Sequence, residues 1–541
     1  MTLRKSFGKV SNADWARDGQ PLCIGSAHAV KRPRELLRDH HHRVKPKFNY
    51  QTIRGADTLS TAERNKHAPG YSRSTWHLPI STNPMLVTSA SESVVTIVDG
   101  REEHFVGESL RAKLEMRDAT GKPKSHGGDF VMARIYNADL GAAASASVTD
   151  HSDGTYTVEF RILWPGESRL EIILVHPGEA VGILENARES VPNRVSFWGT
   201  FVAGEAKKTA VCELFLNTTQ EVCNFTDERL GEGLICEKPS GFPCYSIHGY
   251  TSFTKYWKVF TQDERRLFSR DHILVPLRVS YHVHASITDE STTRPPKPCV
   301  PGLRTAYPSG HYFGNVWHST LCDMKHFDDP QEIRACLKEK EILLLGDSTI
   351  RQWWEYLNEF VRELKRLALK KPGKGRQQPR LAVDIEHNIS LQWYCHAYPL
   401  ITQAYTVTQD ARYIAQRIDD TFGGSHTVVA ISLGAHFVVF PVEVFRRRMR
   451  NIGAAVARLL LRNPKTKVVV KLANTRDSTN LEFYSNWNTF RMNQVTMEVF
   501  KDMNVAFVDA WDMTASINST DVHPNRMIVK NEVDLFLSFV C

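Results

Sequence analysis

The sequence predicts a multidomain protein in which an antiparallel β-sandwich precedes an α/β domain built on a parallel sheet. Three observations carry this. At 541 residues the chain is too long for a single core. Between Met85 and Phe201, apolar residues alternate in short runs divided by Gly, Pro and Asp turns, the pattern of strands with one buried face. From about Tyr307 onward, short apolar runs alternate with helix-length segments, which implies parallel strands with helices on both faces. The expected division is a basic tail over 1–80, the sandwich over 81–205, a Cys-rich connector over 206–306 and the α/β domain over 307–541.

The tail holds Arg32, Arg34, Arg38, His40, His41, His42, Arg43, Lys45 and Lys47, and much of the net charge of +8. With little apolar content it reads as a solvated, disordered segment, and no nucleic-acid motif accompanies the charge. Met1-Thr2-Leu3-Arg4-Lys5 lacks the apolar core of a signal peptide, and no run of apolar residues is long enough to span a membrane. The sandwich strands are marked by Val94-Thr96-Val98, Leu110-Ala112-Leu114-Met116, Phe130-Met132, Tyr156-Val158-Phe160-Ile162 and Leu170-Ile172-Leu174. Gly127-Gly128 and Asp153-Gly154 supply their turns.

The connector carries five of the ten cysteines and little periodicity, so a loop-rich, disulfide-pinned bridge is expected, with Pro295-Pro296-Lys297-Pro298 as a stiff stretch. Trp257 and its aromatic neighbours read as packing rather than as a sugar-stacking platform. No cysteine pair has Cys-x-x-Cys spacing, so no metal is expected, and the cysteines indicate an oxidising compartment. Sequons at Asn217, Asn224, Asn388 and Asn518 fit that compartment but are no more than chance supplies.

In the α/β region, Ile342-Leu343-Leu344-Leu345 reads as a strand buried on both faces, ending at Gly346-Asp347-Ser348. A helix is expected from about Thr349 to Leu369, and Lys370 to Gly375 as a breaker-rich loop. Strands follow near Leu391–Tyr394, Thr427–Leu433, Val468–Leu472 and Val505–Val508. Helices are expected over about Val442–Leu461 and Asn486–Lys501, with a closing one through Leu537. Ser348 thus sits on a strand-to-helix turn, where the helix end stabilises an oxyanion. Near the C-terminus, Asp521-Val522-His523-Pro524 offers a carboxylate beside a general base, giving the chain order Ser, Asp, His. Ser348, Gly434, Asn474 and His523 all fall at carboxyl ends of strands, where such sheets carry their sites.

Gly346-Asp347-Ser348 with Arg351-Gln352-Trp353, and the late Asp521-Val522-His523-Pro524, resemble the PC-esterase branch of the GDSL/SGNH hydrolase superfamily. Ile431-Ser432-Leu433-Gly434-Ala435-His436-Phe437 and Lys471-Leu472-Ala473-Asn474-Thr475-Arg476 narrow this to the neurexophilin and PC-esterase domain (NXPE) family. The likeness extends from about Gln51 onward. Asp153 to Phe160 followed by Trp164-Pro165-Gly166 resembles a filamin-type immunoglobulin repeat, which implies a binding or spacing module able to take a protein ligand.

The C-terminal branch is similar to plant polysaccharide and animal sialic acid O-acetyltransferases. The resemblance implies an SGNH-like fold and carbohydrate O-acetyltransfer to a glycan or glycoprotein acceptor, most specifically sialic acid. Acetyl-coenzyme A would be the acyl donor, with no bound cofactor. It implies a lumenal or secreted protein, so the N-terminal tail is taken as a mispredicted or alternative start. Ser348, His523 and Asp521 take the catalytic places, with the Ser348 and Gly434 backbone N–H groups as oxyanion donors. Two departures from the superfamily stand out. Thr520 occupies the usual place of the acid three before His, leaving Asp521, or else Asp509 or Asp512, to orient His523. His436 stands where an oxyanion Asn is usual, either donating to the oxyanion or serving structure, with Asn474 as another donor. Arg351 either holds an acidic substrate or steadies the oxyanion, or else bridges helices, and His396 is a further cleft candidate. An acetylesterase and an inactive neurexophilin-like binding protein are the alternatives.

Overall fold

The computed structural model describes residues 71–72, 81–256, 258–287, 297–369, 378–402, 404–476, 480–481 and 483–541. All of them fall in one unit, 60–541. The expectations for the basic tail, Trp257, Pro295-Pro296 and the loop at 370–375 therefore lie outside the described residues, apart from Tyr71–Ser72, which pairs in parallel with Val148–Thr149. The fold is β-rich, with four sheets and helices between them.

Two sheets form the N-terminal sandwich. One orders Tyr71–Ser72, Ser147–Asp150, Thr155–Arg161, Ser109–Asp118 and Thr88–Ile97; the other centres on Phe130–Asn137 and Gly166–His176. Along Ser109–Asp118, Leu110, Ala112, Leu114 and Met116 are buried while Ser109, Arg111 and Lys113 are exposed, as a half-buried strand requires. Both inner faces feed one apolar core.

The connector differs from its expectation. Ala206–Glu213, Val222–Asn224, Ile235–Glu237 and Ile247–Thr254 join Val195–Ala203 in a third sheet. Val222–Asn224 and Ile235–Glu237, at three residues each, are too short to show a period. Disulfides hold them instead: Cys212 bonds Cys236, its cross-strand partner, and Cys223 bonds Cys244. Cys299–Cys322 and Cys336–Cys541 complete four bridges among the described residues, with Cys395 buried.

The fourth sheet positions the site. Its layer comprises β1 (Glu341–Gly346), α1 (Ser348–Phe360), β2 (Lys365–Leu367), β3 (Arg380–Asp384), β4 (Ile389–Cys395), β5 (Thr427–Ser432), α2 (Val442–Arg462), β6 (Lys467–Lys471), α3 (Asn486–Phe500), β7 (Ala506–Val508), α4 (Ala510–Ser516) and α5 (Arg526–Val540). The strand order is β2-β3-β4-β1-β5-β6-β7, parallel from β4 through β7 and antiparallel at the β2–β3–β4 edge. β1 lies centrally, with Ile342, Leu344 and Leu345 fully buried. α1 is shorter than the periodicity predicts. It stops at Phe360 because Lys365–Leu367 pairs antiparallel with Leu381–Val383, and sheet pairing outweighs local helix propensity.

α3 and α4 close against the sandwich. Trp487 and Phe490 meet Phe130 edge-on and tilted, at 5.2 and 5.4 Å between ring centres. Polar contacts line this seam: Asp512 accepts from the hydroxyls of Ser145 and Ser309, and Arg188 donates to Asn488 (2.9 Å) and pairs with Glu185 and Glu189.

Candidate active site

Ser348 is placed by a turn that only glycine permits. Gly346 ends β1 at φ 151°, and a Cβ there would lie 1.6 Å from the Ser432 carbonyl oxygen of β5. The chain then turns into α1 with Asp347 as its cap. Asp347 accepts from the Thr349 N–H (2.9 Å) and hydroxyl (2.7 Å) with one oxygen, and from the Ala435 N–H (3.2 Å) with the other. Burial pushes this carboxyl up, but His436, the Thr349 bonds and His396 outweigh it and leave it below the usual carboxylate range. Asp347 therefore stays ionised and ties the nucleophile turn to the 434–436 loop.

The Ser348 hydroxyl lies 2.7 Å from Nε2 of His523, across 175 residues of sequence. In the tautomer protonated at Nδ1, Ser348 donates this bond. Burial and the charge of Arg351 hold the His523 imidazole below its ordinary value, with Asp347 and Asp521 opposing. It is thus neutral, and able to take a proton, at physiological pH.

Three side chains clamp the His523 loop by its carbonyls. Thr475 donates to Ser519 (2.8 Å), Asn474 to Val522 (3.1 Å) and Gln352 to Pro524 (3.2 Å). Asn474 is held in turn by Lys471 (2.9 Å), which sits 3.6 Å from Glu532, and Glu532 accepts from the Trp353 indole (2.7 Å). This buried chain links α1, β6, α5 and the His loop.

The geometry revises several sequence-based expectations. Asp521 accepts the backbone N–H of His523 (2.9 Å), not a ring proton, because two residues of separation favour an Asx turn. Asp509 caps α4 through the Asp512 N–H (2.9 Å) and Asp512 is spent on the seam, so neither reaches the imidazole. Among the described residues no carboxylate lies within 4.0 Å of the His523 ring. Asn474 donates through its side-chain amide to the Val522 carbonyl, next to His523.

Gly434 follows β5 at φ 154°, and His436 two residues on is 3% exposed. Burial brings the His436 imidazole down to about 4, against the pull of Asp347. Its ring lies 5.2 Å from that of His396, whose Nδ1 donates to the Ala397 carbonyl (2.7 Å) and whose Nε2 is buried with no partner among the described residues. Burial and His436 bring His396 down to about 3, so both rings are neutral. Arg351 donates through Nε to Glu355 (3.1 Å) and lies over the Trp393 ring at 5.6 Å. Its charge still reaches His523 and His436.

Asp347, Gln352, Lys471, Thr475, Arg476 and Glu532 were not singled out as site residues by sequence reasoning. Lys471, a cation ending a Val-rich strand, was the available signal; Gln352 and Glu532 carried none. Elsewhere, the described grouping that resembles a metal site, Asp384, Glu386 and His387, is filled by the Arg334 guanidinium at 2.8 Å from each.

Residues 72–262 match the Neurexophilin family, and residues 317–541 match the NXPE family member 4-like C-terminal domain. Among solved structures, the Escherichia coli adhesin FdeC is similar at 12% identity over 37% of this chain and 65% of that one, with a TM-score of 0.14. The bacterial integrin-binding protein invasin is similar at 11% identity over 57% and 60%, with a TM-score of 0.13. The matched region spans less than two thirds of either, and at these scores neither likeness bears on the fold. The two family matches cover both halves of the described chain, in the order the motifs set, and the chain belongs to the NXPE family.

Proposed function

We propose that this protein is a carbohydrate O-acetyltransferase working through an acyl-enzyme on Ser348, with an SGNH-like C-terminal domain. The observation that carries the reading is the 2.7 Å contact between the Ser348 hydroxyl and His523 Nε2 at the start of α1. Ser348 Oγ attacks the acetyl carbonyl of the donor, for which acetyl-coenzyme A is the proposed thioester, and its proton passes to His523 Nε2. The carbonyl oxygen becomes an oxyanion at the N-terminus of α1, met by backbone N–H groups of Ser348 and the Gly434 loop. His523 returns the proton to the departing thiolate, leaving acetyl-Ser348. An acceptor hydroxyl then gives its proton to His523 and attacks the acyl carbon; the bond to Ser348 Oγ breaks and His523 returns the proton to it, freeing the serine. A sialic acid of a glycoprotein is the proposed acceptor. The four disulfides and the neurexophilin match support a place in the secretory pathway, as a Golgi-lumenal or secreted protein.

Purified protein incubated with labelled acetyl-coenzyme A and a sialoglycan tests this. Label on the sugar, lost in Ser348→Ala, is the expected result; acetate release alone makes the protein an esterase. The lack of a carboxylate against the His523 ring among the described residues favours a second reading, a binding protein that keeps the fold without chemistry. A serine-directed fluorophosphonate that fails to label folded wild type would establish that one.

A further inference from the structure

A second basic group stands in the wall of this site with no contacting acid among the described residues, the charge of Asp347 reaching it only from a distance. Arg476 follows the clamp residues Asn474 and Thr475 and is 3% exposed. Its Nη1 donates to the Ala435 carbonyl (3.4 Å), in the loop whose N–H binds Asp347. Its guanidinium lies 4.3 Å from the centre of the Tyr484 ring. Among the described residues Nε has no hydrogen-bond partner and no carboxylate lies within 4.0 Å of this guanidinium. The charge is felt by both His436 and His523.

Burying a guanidinium unpaired is costly, and a cation–π contact returns only part of that. Two other buried guanidiniums have acids: Arg448 has Glu232 at 2.7 Å and Arg334 has Asp384 at 2.8 Å. With Nη1 committed to Ala435, the edge that carries Nε remains, and that edge matches the two oxygens of a carboxylate side-on.

We propose that Arg476 is the carboxylate anchor of an acidic sugar acceptor, holding it so that a ring hydroxyl faces the acyl group on Ser348. This rests on the acyl-transfer reading for its purpose, but the binding it asserts is separately measurable. The anion pairs with the Nε edge of Arg476, Tyr484 covers the other face of the guanidinium, and Arg351 adds a second positive charge to the site.

The test is calorimetric titration of Ser348→Ala protein, in which no turnover occurs, with the methyl glycoside of N-acetylneuraminic acid, its carboxyl methyl ester, and coenzyme A. The acid glycoside should bind on the order of tenfold or more weaker once Arg476→Gln is added, and Arg476→Lys should recover part of the loss. The neutral ester should bind both forms alike. Equal binding of the acid glycoside with and without Arg476, or no binding even when Arg476 is present, overturns the proposal. A loss confined to coenzyme A also overturns it, by assigning the guanidinium to a phosphate. Thermal melts of both Arg476 variants separate a binding defect from misfolding. Fluorophosphonate labelling of wild type probes the nucleophile independently, so either reading can fail without the other.

Discussion

Arg188 and Arg476 are both buried guanidiniums, and they are treated in opposite ways. Arg188, at the seam between sandwich and α/β layer, has Glu185, Glu189 and Asn488 around it. Arg476 has a carbonyl and an aromatic face. The same contrast holds for acids and bases. Asp512 at the seam is surrounded by the donors of Ser145 and Ser309, whereas His396 keeps an unpartnered buried Nε2. At these positions Arg188 and Asp512 find partners inside the chain, whereas Arg476 and His396 beside the site keep a buried nitrogen without one among the described residues.

Substitutions can break this contrast. The largest effect is expected from Ser348→Ala, which should lower transfer activity by on the order of a thousandfold or more while leaving the melting temperature unchanged. Arg188→Ala should cost about 2–3 kcal/mol in denaturant unfolding, since it strands the buried Asn488 side chain and empties the space the buried guanidinium fills. Arg476→Gln should leave stability unchanged or raised, since it removes a buried charge with no contacting acid among the described residues, and a loss as large as that of Arg188→Ala would erase the distinction between seam and site.

Asn474→Ala should lower kcat roughly tenfold with KM little changed, because it frees the Val522 carbonyl and loosens the base rather than the substrate. The pH profile sharpens the point. His523 is held below its ordinary 6.5, so the acid limb of kcat/KM should lie below that value and move up in Arg351→Gln. His436 and His396, lowered to about 4 and about 3, are buried neutral. The unfolded chain binds their protons more readily, so stability should be complete above pH 6.5 and fall as pH drops toward 4, read as melting temperature against pH. The smallest effect belongs to Asp521→Asn. A side chain that takes a backbone N–H keeps an acceptor oxygen as Asn, so activity should fall less than about fivefold.

Much of this was legible beforehand where one periodicity ran long enough. β1, β5, β6 and α2 fall within a residue or two of their expected bounds, because each is buried or amphipathic over several turns or pleats. The third sheet was not legible, since Val222–Asn224 and Ile235–Glu237 have three residues each and owe their place to disulfides. The encounter of Ser348 with His523 could be guessed because both lie at strand ends. The partners of Asp521 could not, because a carboxylate two residues from a histidine can serve ring or backbone, and only the turn geometry decides. Arg476 was in view within a quoted motif, yet lack of a partner is a property of space, not of spelling.

Cys541 is bonded to Cys336, which lies just ahead of β1. That bridge closes a covalent ring over 205 positions of sequence, and nucleophile and base are both inside it. Opening so large a ring forfeits on the order of 5 kcal/mol of constraint on the unfolded chain. A thiol-reducing milieu would therefore remove a restraint on the segment that carries Ser348 and His523, which ties the proposed chemistry to an oxidising compartment.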